Sequence, residues 1–133
     1  MIKKIGHIGI AVPDLEEGIQ LYRDKLGLKF IGTEVVEDQK VKVAMFEAGD
    51  VHIELLEPTG DDSPIAAFLQ KTGGGMHHIC YEVDDVDESL MEFEENGIRL
   101  IDKKSRPGAS GTRVGFLHPK STGRVLTELN SHK

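Results

Sequence analysis

The chain has 133 residues, 38% of them hydrophobic, enough for one compact domain and too few for two of ordinary size. Its formal charge of −7 argues against nucleic acid as a partner, because phosphate recognition needs a basic surface. No apolar run reaches bilayer length, MIKKIGHIGI lacks the h-region and cleavage site of a leader, and the single Cys80 excludes an internal disulfide, so a soluble, unprocessed, cytoplasmic protein is expected.

In chain order, HIGIAVPDL at 7–15 opens on a strand that begins at His7 and runs into a cap. Asp14, with Glu17 three positions on, reads as a helix N-cap, and Leu15, Ile19 and Tyr22 give that helix one apolar stripe before Gly27 stops it. Strands are expected near 28–37, 40–48 and 51–57, followed by a short helix from Pro64 to Lys71 and a flexible turn at Gly73-Gly74-Gly75. That glycine run lacks the Lys, the Ser/Thr and the preceding strand of a phosphate cradle. At an offset of 71 residues the pattern starts again: HICYEVDDV at 78–86 supplies His78, the cap Asp85 with Glu88, the stripe Val86, Leu90 and Phe93, and the stop Gly97. Further strands are expected near 98–101, 111–118 and 124–130. Each half therefore reads βαβββ. The fold class is α+β: two tandem βαβββ modules, about 1–60 and 76–131, joined by a linker at 63–75 and curled into a cupped, mostly antiparallel mixed sheet, all within one domain spanning 1–133.

The repeat carries the chemistry. His7 and His78 open the first strand of their halves, while Glu54 and Glu128 sit on the last strands, 47 and 50 residues later. A lone histidine at a strand start is more often a hydrogen-bonded structural residue than a ligand. Its duplication, each time with a glutamate in the equivalent place, shifts the balance toward a site. If the halves pair about a pseudo-twofold axis, two imidazoles and two carboxylates meet. Such donors suit a divalent Co, Mn, Zn, Ni or Fe ion and leave two places open in an octahedral shell. Glu54 and Glu128 lie between mostly apolar neighbours, so alternation puts both carboxylates on the face away from them. His77 must point away from His78; His52 shares the face of Glu54 but has no counterpart and reads as a rim residue; His118 reads as structural and His132 as a disordered tail. Cys80 lines the same side as His78, with nothing to activate it.

Tandem βαβββ modules with His on the first strand and Glu on the last resemble the vicinal oxygen chelate superfamily, which includes glyoxalase I, extradiol dioxygenases and methylmalonyl-CoA epimerases. Within it, SPIAAFLQKTGGGMHHI at 63–79 and GTRVGFLHPKSTGRVLTEL at 111–129 are similar to the corresponding stretches of the epimerase family. The resemblance implies a metal at His7, His78 and Glu128 with Glu54 as fourth ligand, cobalt favoured, a homodimer, and a CoA thioester substrate. It further implies epimerisation at C2 of methylmalonyl-CoA by 1,1-proton transfer through a metal-stabilised enolate, with Glu128 as one base. Where some family members carry a second Glu, this chain has Val43; Lys42 points to the opposite face, and Glu47 lies four residues further on. Glu54, the pseudo-twofold counterpart of Glu128, is the expected second base, with a single mobile base or a water relay as the alternatives. The segment from Arg99 to Arg124 holds seven basic residues against the single acid Asp102, a net +6, and reads equally as a landing area for CoA phosphates or as a solvated face. The loop 105–113 reads as a source of backbone donors or as a closing lid. A glyoxalase I-like lyase, an extradiol dioxygenase and a non-catalytic ligand-binding module are the alternatives.

Overall fold

A computed structural model describes residues 1–132. The elements are β1 (Ile2–Ala11), α1 (Leu15–Ile19, continuing as a π-helical turn over Gln20–Lys25), β2 (Lys29–Val36), β3 (Val41–Ala48), β4 (Val51–Pro58), α2 (Pro64–Thr72), β5 (Gly75–Val83), α3 (Val86–Glu95), β6 (Arg106–Pro107), β7 (Arg113–Leu117) and β8 (Thr127–Ser131). No helix among the described residues is long and apolar enough to cross a membrane. Two compact units emerge, His7–His77 and a second made of Met1–Gly6 with His78–Lys133. The division falls inside β1 rather than at the linker: its first residues belong with the second half of the chain.

In the His7–His77 unit the strands run in the order β2-β3-β4-β1. β4 is parallel to β1, with Gly9 opposite Glu54, and the other pairings are antiparallel. One face carries Ile10, Ala44, Phe46, Ile53 and Leu55 against Leu15 and Ile19 of α1. Removing these side chains from water supplies the driving force for packing the helix. Phe46 sits 5.8 Å from Tyr22 and 5.3 Å from Phe30, ring centre to ring centre. Asp14 caps α1 as expected, its Oδ1 accepting from Glu17 N at 3.1 Å. The last turn widens, with Leu26 N donating to Leu21 O at 2.9 Å, before Gly27 takes up a left-handed conformation at φ 77°.

The second unit repeats this plan in the order β1-β5-β8-β7-β6, with β5 parallel to β8. Val83, Leu117 and Leu129 pack against Val86 and Leu90 of α3, and Asp85 Oδ1 accepts from Glu88 N at 3.2 Å. A further equivalence escapes sequence patterning. The first amide of each helix is held from the last strand of its own unit: Leu15 N donates to Glu57 Oε2 at 2.8 Å and Val86 N to Ser131 Oγ at 3.3 Å. Both acceptors lie three residues beyond the glutamates of interest, hence on the helix-covered face.

Four expected strands differ. β1 begins at Ile2 and β5 at Gly75, so His7 and His78 lie inside their strands rather than opening them. Residues 98–101 form only an isolated bridge, Leu100 to Leu117. Pairing stops there because Asp102 doubles back on β7: its Oδ2 accepts from Phe116 N at 2.8 Å while its own N donates to Phe116 O at 3.2 Å. The edge strand is instead Arg106–Pro107. The last strand begins at Thr127 rather than near 124, after turns in which Arg124 adopts φ 72°. The linker helix extends to Thr72 and ends at a left-handed Gly73.

Candidate metal-binding and catalytic site

In each unit the strands bury one face under the helix and present the other. In the His7–His77 unit, register puts His7, Gly9, Ala11, His52, Glu54, Leu56, Val43 and Met45 on the presented face. His7 and Glu54 are only 6% and 8% exposed, and His7 Nδ1 stands 3.3 Å from Glu54 Oε2. In the second unit His78 and Glu128, 5% and 3% exposed, stand 3.0 Å apart from Nε2 to Oε1. The two pairs are placed alike in strand register, although His7 faces its glutamate through Nδ1 and His78 through Nε2. Glu54 is registered opposite Gly9 and Glu128 opposite Cys80, in each case the residue two past the histidine.

The donor set fits a divalent cation. Cis ligands bound at about 2.1 Å stand about 3.0 Å from one another, close to the nitrogen–oxygen separation in each pair. Burial adds to the argument, because an ionised carboxylate removed from water needs a cation or donors beside it. Each pair could thus supply one imidazole and one carboxylate to an ion. Cys80, fully buried and registered opposite Glu128 on the same face, offers a thiol in that neighbourhood as well.

The remaining histidines are placed as follows. His77 packs edge-on against Phe68 at 4.9 Å, away from His78. His52 is exposed at the rim of the presented face, registered with His7. His118 is structural: its Nδ1 accepts from Lys120 N at 3.1 Å, and desolvation, followed by the charges of Arg99 and Lys120, lowers its pKa below the ordinary histidine value. His132, expected to be a disordered tail, lies 3.8 Å from Glu82.

Around Val43 the expected faces hold. Val43 is buried on the face of Glu54, Lys42 is registered with Glu57 on the other, and Glu47 is engaged by Lys29 at 3.2 Å. Sequence reasoning missed Glu34. Strict alternation from Lys29 would send its side chain to the helix-covered side, but a bulge between Phe30 and Gly32 shifts the register, so Glu34 lies directly across from Val43 on the presented face. Sequence reasoning counted Arg106 only as one of the basic residues of the 99–124 segment and could not give its face. Register with Val114 puts this residue on the face of His78 and Glu128, its guanidinium carbon 5.7 Å from the centre of the Phe116 ring, whose edge-to-face neighbour at 5.7 Å is His78.

Residues 6–116 match the family model of the glyoxalase/bleomycin resistance protein/dioxygenase superfamily, and the chain belongs to that superfamily. Within it the similarity runs to the epimerases. The mitochondrial methylmalonyl-CoA epimerase of Homo sapiens is 43% identical over 127 residues, covering 95% of this chain and 72% of that protein. The ethylmalonyl-CoA/methylmalonyl-CoA epimerase of Cereibacter sphaeroides is 42% identical over 97% of this chain and 98% of its own length. A solved methylmalonyl-CoA epimerase in complex with methylmalonyl-CoA and NH4+ superposes with a TM-score of 0.94 at 39% identity, covering 98% and 95% of the two chains. A Streptomyces coelicolor methylmalonyl-CoA epimerase variant in complex with 2-nitronate-propionyl-CoA matches equally well, with a TM-score of 0.94, 39% identity and the same coverage.

Proposed function

We propose that this chain is a metal-dependent methylmalonyl-CoA epimerase, and that His7, Glu54, His78 and Glu128 together hold its divalent ion. The observation that carries the reading is the duplicated buried His–Glu pair, set in the same register in both units. Chain continuity supports bringing the pairs together. Gly6 packs beside β8 and β5, where a Cβ would stand 3.3 Å from Asn130 Oδ1 and 3.6 Å from the Cys80 carbonyl oxygen, and His7 is the next residue. The 2-nitronate bound by the Streptomyces relative is a planar carbon acid anion at C2, which favours an enolate-like intermediate here.

The proton lost lies between a thioester carbonyl and a carboxylate. A bound divalent ion supplies positive charge to the oxygens on which the enolate's charge accumulates. The protein does the rest. Glu128 removes or returns the C2 proton on one face, and Glu54, its counterpart in the other unit, serves the opposite face. The apolar neighbours of Glu54 on its sheet face, Val43, Met45 and Leu56, are all buried, which keeps water from competing with proton return. Basic residues of the segment from Arg99 to Arg124 offer the CoA phosphates a landing area on an otherwise acidic protein. In this reading the enzyme works in the cytoplasm as a homodimer with one catalytic domain per chain.

The test is proton exchange at C2 of methylmalonyl-CoA in deuterated water, with and without chelator. Exchange that stops on metal removal and returns with a divalent ion is the expected result. Chelator-insensitive exchange refutes the metal, and no exchange at all refutes the substrate.

A further inference from the structure

We propose that Arg106 is a specificity-determining residue that grips the carboxylate of the substrate's acyl group. The proposal rests on the epimerase reading above.

Of the seven basic residues between 99 and 124, two lie in paired strands, and they point to opposite faces. Arg113 goes to the helix-covered side of the sheet, where its terminal nitrogen donates to Ser105 O at 2.8 Å and its Nε to Ser105 Oγ at 3.2 Å. Arg106 goes to the side of His78, Cys80 and Glu128. Its guanidinium carbon stands 5.7 Å from the centre of the Phe116 ring, and that ring is 5.7 Å from His78, so the cation lies within about 11 Å of the imidazole. The pantetheine arm of a CoA ester separates its phosphates from the acyl group by a long chain of bonds. Because that arm holds the phosphates away from a thioester bound beside His78, the geometry favours the acyl carboxylate as the anion that Arg106 meets.

The guanidinium is also pre-arranged. Arg106 Nε lies 3.5 Å from Asp102 Oδ1, while Asp102 Oδ2 is occupied by the Phe116 amide at 2.8 Å. One carboxylate thus faces the guanidinium as an ion partner and hydrogen-bonds the backbone of the residue whose ring lies beneath it. Asp87 secures the same loop through Ser105, accepting from its N at 2.7 Å and from its Oγ at 2.8 Å. An arginine that an ion partner and an aromatic ring already restrain loses less conformational entropy on gripping an anion, and its planar fork matches a carboxylate. The half-buried position over an aromatic face strengthens the attraction by excluding water from one side.

Methylmalonyl-CoA and propionyl-CoA differ only in the carboxylate, so their dissociation constants, measured on the full-length metal-loaded protein, isolate this contact. A hydrogen-bonded charge lost from binding corresponds to a weakening of about 10- to 100-fold. Arg106→Gln should weaken methylmalonyl-CoA by that factor and raise its KM similarly, while propionyl-CoA changes by no more than about twofold. Arg106→Lys, which keeps the charge but not the fork, should fall between the two and carries the test if the glutamine variant fails to fold. Equal weakening of both ligands, or none, overturns the proposal; equal weakening of free CoA as well assigns Arg106 to the phosphates instead. Absence of epimerisation in the wild-type protein counts against the epimerase reading, whereas the paired dissociation constants still decide whether Arg106 recognises a carboxylate.

Discussion

Replacing Glu54 by glutamine separates metal binding from proton transfer in the proposed mechanism. The side chain is 8% exposed, its Oε2 lies 3.3 Å from His7 Nδ1, and it sits on a face lined by buried Val43, Met45 and Leu56. The amide fills the same volume and keeps an oxygen that can accept from His7 or bind an ion, so the fold should change in stability by no more than about 1 kcal/mol. What disappears is the negative charge and with it the ability to take a proton. A positioned general base contributes about 100- to 10,000-fold, or roughly 3–5 kcal/mol of barrier. Inversion should fall by that factor at saturating metal, whatever the change in metal affinity. Each epimer is incubated separately in deuterated water and its C2 proton is followed by NMR. One epimer should still exchange, through Glu128, without inverting. Inversion within about threefold of wild type, below the smallest loss expected of a general base, would show that Glu54 moves no proton; loss of both exchange and bound metal would make it a ligand only.

Leu90 is completely buried in the α3 core, and Leu90→Ala should cost about 2–5 kcal/mol in denaturant unfolding, with an unchanged slope against denaturant. Asp87 has its pKa lowered chiefly by the backbone donor of Ser105, then by the Ser105 hydroxyl. A carboxyl group depressed in the folded state stabilises above its unfolded value, about 3.9, and loses that stabilisation as pH falls through its folded value. Asp87→Asn should therefore flatten the acid limb of the stability curve below about pH 4, and an acid limb identical to wild type would contradict the assignment.

Much of this protein is legible one residue at a time. The caps Asp14 and Asp85, the stripes that seat α1 and α3, and the alternation that sends His7, Glu54, His78 and Glu128 away from the helices are local properties of the chain. They follow from the helical period and the two-residue period of a strand, which need no knowledge of partners. Tertiary structure alone decided what depends on register. A bulge at Ile31 turns Glu34 to the face of Val43, and the return of Asp102 onto Phe116 replaces an expected strand with the short pairing that aims Arg106 toward His78. It likewise decided that the first six residues belong with the second half of the chain. A one-residue slip reverses a side chain, and a hydrogen bond between residues 14 apart in sequence leaves no periodic trace, so neither could be read before the strands had chosen their neighbours.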